Sequence, residues 1–142
     1  QVEAAEPLTE DDAYAVAAST PVRLVSAEQL GAAVADEVRL VRHRHHNTGV
    51  VVPEALLAHV AEALAAAGLT ATDRVHDLGH DDVPLFHAEA VKGLEFDGVV
   101  VVNPHEIFDG SERGARLLYV AMTRAVQVLH FVTTAPLPAA LG

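Results

Sequence analysis

The sequence predicts an α/β fold: an open, mostly parallel sheet with helices on both faces. Short β-branched runs alternate with helical stripes across residues 21–134. The connections between them are short, as parallel strand–helix–strand units require. Val99, Val100, Val101 and Val102 form an unbroken row, the pattern of a strand buried on both faces.

The elements follow in order. Residues 1–20 are an acidic, alanine-rich lead-in with room for one short helix at 11–18. Residues 22–25 read as a strand. Ser26, followed three residues later by Gln29, has the form of a capping box. The helix behind it sets Leu30, Val34, Val38 and Val41 on one stripe. It frays near "RHRHHN", where Asn47 and Gly49 are stop signals and basic side chains suit the negative helix end. Residues 50–52 form a second strand, and Pro53 opens a second helix through Ala67. Its buried stripe is Leu56, Leu57, Val60 and Leu64, and Gly68 followed by Leu69 is its ending. Strands are expected around 74–77 and at 84–88. After the valine row come a helix over 112–125 and a last strand at 128–132, and residues 135–142 form a tail.

A chain of 142 residues is the size of one domain, and 51% hydrophobic with 20% charged residues is a globular composition. No apolar run approaches the roughly 18 residues that span a bilayer, so no membrane partner is expected. The acidic start lacks the basic region of a signal peptide. The absence of cysteine excludes disulfides and thiolate zinc sites, leaving the cytoplasm as the expected compartment. A start at Gln1 implies a piece of a longer chain. The net charge of −11, nine Lys+Arg against twenty Asp+Glu, leaves no broad basic face for nucleic acid.

Two segments carry the chemistry. In "VKGLEFDGVVVVNP", residues 91–104, the chain's one lysine, Lys92, precedes a glycine and two carboxylates at the mouth of a buried strand. In "GARLLYVAMTRA", residues 114–125, Arg124 stands near the end of a largely apolar helix. Read singly, the first is a solvated turn and the second an arginine complementing a helix dipole. A rule for parallel sheets, that ligands gather at the carboxyl ends of strands, marks the loops 89–97 and 103–109 as site edges.

Together and in this order, "KGLEFD" and "LYVAMTRA" resemble motifs V and VI of the UvrD/Rep-type superfamily 1 helicases. The similarity is close over residues 85–132 and looser back to Pro21. The resemblance implies the second RecA-like motor domain, with ATP held in a cleft shared with an N-terminal RecA-like domain. It implies that Glu95 bonds the nucleotide ribose and that Arg124 reaches the γ-phosphate as an arginine finger. Gly93 and Lys92 then shape the loop that couples this cleft to the nucleic-acid track, with Glu89 at its start. No GxxxxGK[ST] is present, no Asp-Glu closes a strand, and no "NYR" precedes the first strand. The phosphate cradle and the Mg²⁺ ligands are therefore expected elsewhere, and this piece alone is expected to be inactive.

The family commonly has His-Ser-Ala before "KGLEF"; here Glu89, Ala90 and Val91 stand there. A carboxylate facing phosphates is repulsive, which counts against DNA contact through this loop. His87 lies two residues earlier and, by strand alternation, shares the face of Glu89. The large insertion of UvrD is absent between Gly68 and Leu85. These departures and the acidic charge resemble the HelD-type factors, which bind RNA polymerase and use ATP to remodel it. A conventional DNA helicase in repair or replication is the alternative. A non-catalytic protein-interaction domain is the rival from another class, opposed by the presence of both Glu95 and Arg124.

"RLVRHRHH", with Arg39, Arg42 and Arg44, is the one basic patch, read as a solvated helix end that can also touch nucleic acid or an acidic partner. His43 and His45 do not have the i, i+4 spacing of a helical zinc pair, so no metal site is expected.

Overall fold

The computed structural model describes residues 20–138. The helix expected at 11–18 and the end of the tail lie outside the described residues. Six strands, β1 (Val22–Leu24), β2 (Thr48–Val52), β3 (Thr70–Thr72), β4 (Asp82–His87), β5 (Phe96–Val102) and β6 (Ala125–Thr133), form one sheet in the order β1-β6-β5-β2-β4-β3. Every neighbouring pair is parallel. Helices α1 (Leu30–Arg42) and α2 (Leu57–Ala66) cover one face, and α3 (Pro104–Ile107) and α4 (Glu112–Met122) lie on the other.

The valine row works by strand alternation. Val100 and Val102 join Val50 and Val52 under α1 and α2. Val99 and Val101 point the other way and meet Leu118 and Met122 of α4, with Leu129 and Phe131 beside them. A strand covered on both faces has no polar side to alternate with.

Ser26 accepts from the Gln29 amide at 3.3 Å, but it caps a 3-10 turn, Ala27–Gln29, so α1 begins one turn later. A second 3-10 turn, Glu54–Leu56, likewise follows Pro53 and precedes α2. The end of α2 is as the sequence indicates: Gly68 has φ +84° and the Leu69 amide donates to Leu64 O at 2.8 Å. Glu37 of α1 is buried, and a buried carboxylate needs partners. His130 of β6 lies 2.5 Å from it and Arg23 of β1 lies 3.3 Å away, which ties α1 across that side of the sheet.

Some expectations fail. No strand forms at 74–77; β3 is Thr70–Thr72, and 73–81 is a loop. Arg74 donates to Asp77 O and to Asp82 Oδ2, both at 2.9 Å, and Asp77 has φ +56°. Local bonds win because only Val75 there favours a strand. The Gly79 amide and then Arg74 hold the Asp82 carboxyl below its usual range. The helix expected over 112–125 stops at Met122, because Ala125 already pairs with Phe96 as the first residue of β6. The short helix α3 is an addition.

The connection leaving β2 enters the α2 face, and the one leaving β5 enters the α3–α4 face. These two strands are neighbours, so a crevice opens between their carboxyl ends.

Gly98 of β5 leaves room for Val41 of α1 against the sheet. An added Cβ would lie 2.6 Å from Val41 Cγ1 and 3.0 Å from Thr48 Oγ1. Gly98→Ala is expected to destabilise the fold by about 1–3 kcal/mol, the usual cost of overpacking a filled core. Urea unfolding followed by circular dichroism measures this; an unchanged midpoint would contradict the close contact.

Candidate functional site

Because β4 and β5 are parallel, residues 88–95 must carry the chain from the carboxyl edge of the sheet back to its amino edge. They do so through a 3-10 turn, Ala88–Ala90, and a tight turn in which the Leu94 amide donates to Val91 O at 3.0 Å. Gly93 sits in that turn at φ +85°, where a side chain is strained although nothing lies within 4 Å of an added Cβ. The constraint on Gly93 is the backbone and not space.

Helix α4 makes the same journey on the same face, from the end of β5 to the start of β6. Its first turn is fixed by a local network. Ser111 Oγ accepts from the Gly114 amide at 2.9 Å, and Asp109 Oδ1 accepts from the Ser111 hydroxyl at 2.5 Å and amide at 2.9 Å. Those two bonds hold the Asp109 carboxyl below its usual range. Gly114 is buried against this loop, where an added Cβ would come within 3.0 Å of the Asp109 amide nitrogen. Although largely apolar, the helix buries one face only, through Leu118, Ala121 and Met122.

An arginine at each end of α4 grips one end of the 88–95 crossover. At the carboxyl edge Arg113 pairs with Glu89. At the amino edge Arg124 donates from Nη1 to Leu94 O at 3.2 Å, from Nε to Val120 O at 3.0 Å and from Nη2 to Thr123 Oγ1 at 3.2 Å. The Phe96 amide returns a bond to Arg124 O at 2.9 Å. Glu95 stands beside Leu94, exposed, and its carboxylate makes no hydrogen bond or ion pair among the described residues. The same holds for the ammonium of Lys92.

The sequence-derived residues therefore divide. Gly93, Glu95 and Arg124 gather toward the amino edge, against the expectation that both site loops lie at carboxyl ends. Glu89 alone lies at the carboxyl edge with the 103–109 loop. The physical reason is the parallel sheet itself: a segment that links two strands has its two ends at opposite edges. At the amino edge the exposed Glu95 follows directly on Leu94, whose carbonyl Arg124 holds; a carboxylate can accept from hydroxyls and a guanidinium can donate to phosphate oxygens.

The carboxyl-edge crevice encloses about 200 Å³ and is lined by Glu54, Glu89, Glu106 and Asp109, with Arg113 and His87. His87 and Glu89 do share this space, but through the 3-10 turn at Ala88–Ala90 and not through strand alternation. Sequence reasoning missed Arg113 and Thr123. The spacing of Ser111 and Gly114 in "DGSERGA" is a cap signature that places Arg113 in the first turn of a helix.

The basic stretch is used by the fold. Arg39 donates to Ala67 O at the end of α2, and Arg42 donates to His80 O at 2.5 Å and lies 3.2 Å from His46 Nδ1. Burial pushes the Arg42 guanidinium down, opposed by Asp81 and Asp82. Arg39 thus satisfies a carbonyl at the end of α2, and Arg42 one in the 73–81 loop.

Residues 89–132 match the family model described as UvrD-like helicase C-terminal domain. No curated protein matches the chain. Among solved structures, the chain resembles the C-terminal domain of a possible DNA helicase from Lactobacillus plantarum WCFS1, at 23% identity and a TM-score of 0.71, over 94% of this chain and 88% of that one. At that identity the likeness establishes the fold. Among the described residues no helix is long and apolar enough to cross a membrane. The segment that carries both motifs, residues 89–132, is thus the segment that matches the UvrD-like helicase C-terminal model, and the predicted α/β fold is the fold of that structural neighbour.

Proposed function

We propose that this chain is the second RecA-like motor domain of a superfamily 1 helicase-like ATPase, one half of an ATP site completed by an N-terminal RecA-like domain. The observation that carries this reading is the meeting of Glu95 and Arg124 at one edge, joined through the Leu94 carbonyl and the Phe96 amide. Glu95 bonds the ribose of bound ATP. Arg124 meets the charge that spreads over the phosphoryl oxygens in the transition state, where a planar guanidinium offers bidentate donors. Mg²⁺ bound with ATP would supply neutralisation of phosphate charge, and its ligands are assigned to the N-terminal domain, since residues 1–142 hold no phosphate-loop sequence.

Of two readings of the partner, the crevice favours a HelD-type factor that remodels RNA polymerase. Four carboxylates, Glu54, Glu89, Glu106 and Asp109, stand there against Arg113 alone, a field that repels a phosphate backbone. The conventional reading, an ATP-dependent DNA helicase, is favoured by the family match and by the name of the structural neighbour. The non-catalytic rival gives no reason for Glu95 to be free and Arg124 to stand beside it.

In the full-length protein Arg124→Ala is expected to lower kcat by about 10³ or more with a much smaller loss of nucleotide affinity. Glu95→Ala should act mainly on KM, because a ribose contact is equally strong in ground and transition states. A kcat within twofold of wild type for Arg124→Ala, in steady-state ATPase assays, would remove the finger assignment.

The partner readings separate in a paired experiment. A polymerase-remodelling factor should show ATPase activity that single-stranded DNA stimulates weakly, and RNA polymerase should co-purify with it. Stimulation of about tenfold or more with an empty pull-down would transfer the assignment to the conventional helicase.

A further inference from the structure

Three guanidinium nitrogens of Arg124 donate to acceptors of its own domain, on two different elements. Val120 and Thr123 belong to the last turn of α4 and its cap, and Leu94 belongs to the crossover beside Glu95. The Thr123 hydroxyl gives its hydrogen to Val120 O at 3.1 Å, which leaves its oxygen free to accept from Arg124 Nη2. Every acceptor that holds the side chain back is therefore uncharged and lies within this chain.

We propose that Thr123 is a positioning residue that, with the Leu94 carbonyl, parks Arg124 and keeps unstimulated ATP turnover low. This rests on the reading of Arg124 as the residue that meets the transferring phosphoryl group. In the parked state Nη1 and Nη2 are committed to Leu94 O and Thr123 Oγ1. In the transition state both leave these neutral acceptors for phosphoryl oxygens, while Nε remains on Val120 O and serves as the pivot. The guanidinium gains a charge–charge attraction from ionised phosphoryl oxygens that a carbonyl or hydroxyl cannot supply, so the exchange is favourable once the charge develops. The parked bonds are lost in that step, so they add to the barrier. Because Leu94 and Glu95 share a peptide bond, release of the guanidinium also frees the backbone that carries the proposed ribose contact.

The sign of this effect separates parking from simple structural support. Thr123→Val keeps the shape of the side chain and removes the acceptor. Removing one guanidinium–hydroxyl bond from the parked state alone is expected to raise unstimulated kcat of the full-length protein about tenfold or more, with the gain in kcat and not in KM. Thr123→Ser keeps the hydroxyl and should turn over at the wild-type rate. A Thr123→Val kcat at or below wild type, with Thr123→Ser restoring it or not, would overturn parking.

A second measurement uses this chain without nucleotide. Nitrogen-detected NMR of the arginine side chains should give separate Nη1 and Nη2 signals for Arg124, because rotation about its Cζ–Nε bond is hindered on both sides. They should average in Thr123→Val. One averaged signal in the wild type would overturn the parked state directly. Failure of the underlying ATPase reading looks different: turnover is then insensitive to Arg124→Ala, whatever the signals of the guanidinium show.

Discussion

All six strands run the same way, so every connection has to take the chain from one edge of the sheet back to the other. Much of the site follows from that constraint. The 88–95 crossover and α4 make the same traverse side by side, and α4 carries an arginine at each end of it. A residue at the start of the crossover, Glu89, is thereby held at one edge, while Leu94 and Glu95 are held at the other. The two edges differ in chemistry. One presents a guanidinium and a free carboxylate; the other is a crevice dominated by carboxylates.

Magnitudes decide which contacts hold the fold and which only bias it. Each buried valine of the central strands contributes about 1.5–3 kcal/mol relative to exposure, and Val50, Val51, Val52, Val99, Val100, Val101 and Val102 are all fully buried. The Glu89–Arg113 pair is 42% and 64% exposed, respectively, and an exposed pair contributes about 0–1 kcal/mol. The sheet is thus a rigid base, and the crossover is attached at its carboxyl end by an interaction weak enough to exchange. At the amino end the attachment is one bond of a half-buried guanidinium, Arg124 Nη1 to Leu94 O, beside the bond from the Phe96 amide to Arg124 O. Rigid strands below and exchangeable arginines above suit a segment that relays between two edges.

Much of this was legible in the sequence. The valine row announces a strand buried on both faces, and the stripes of α1 and α2 are visible because each meets only one face of the sheet. Ser26 and Gly68 mark helix ends through local backbone chemistry, which depends on few distant residues. The strand misplaced at 74–77 shows the limit: Arg74, Asp77 and Asp82 satisfy one another locally, and pairing with β4 instead went to Thr70–Thr72. The edge on which Glu95 lies was also misjudged: in a parallel sheet the far end of the 89–97 loop has already returned to the amino edge. Arg113 was missed, since its partner Glu89 is distant in sequence and only the crossover brings the two together.

The most direct test of the nucleotide assignment is a structure of the full-length protein with Mg²⁺, ADP and a planar metal fluoride in place of the transferring phosphoryl group. Arg124 Nη1 and Nη2 are expected at about 3 Å from the fluoride ligands, as charge-assisted bonds require, with Glu95 on the ribose hydroxyls and the Leu94 carbonyl released. Nucleotide seated instead in the crevice of Glu54 and Glu89, or Arg124 still bound to Leu94 beside an occupied site, would contradict it.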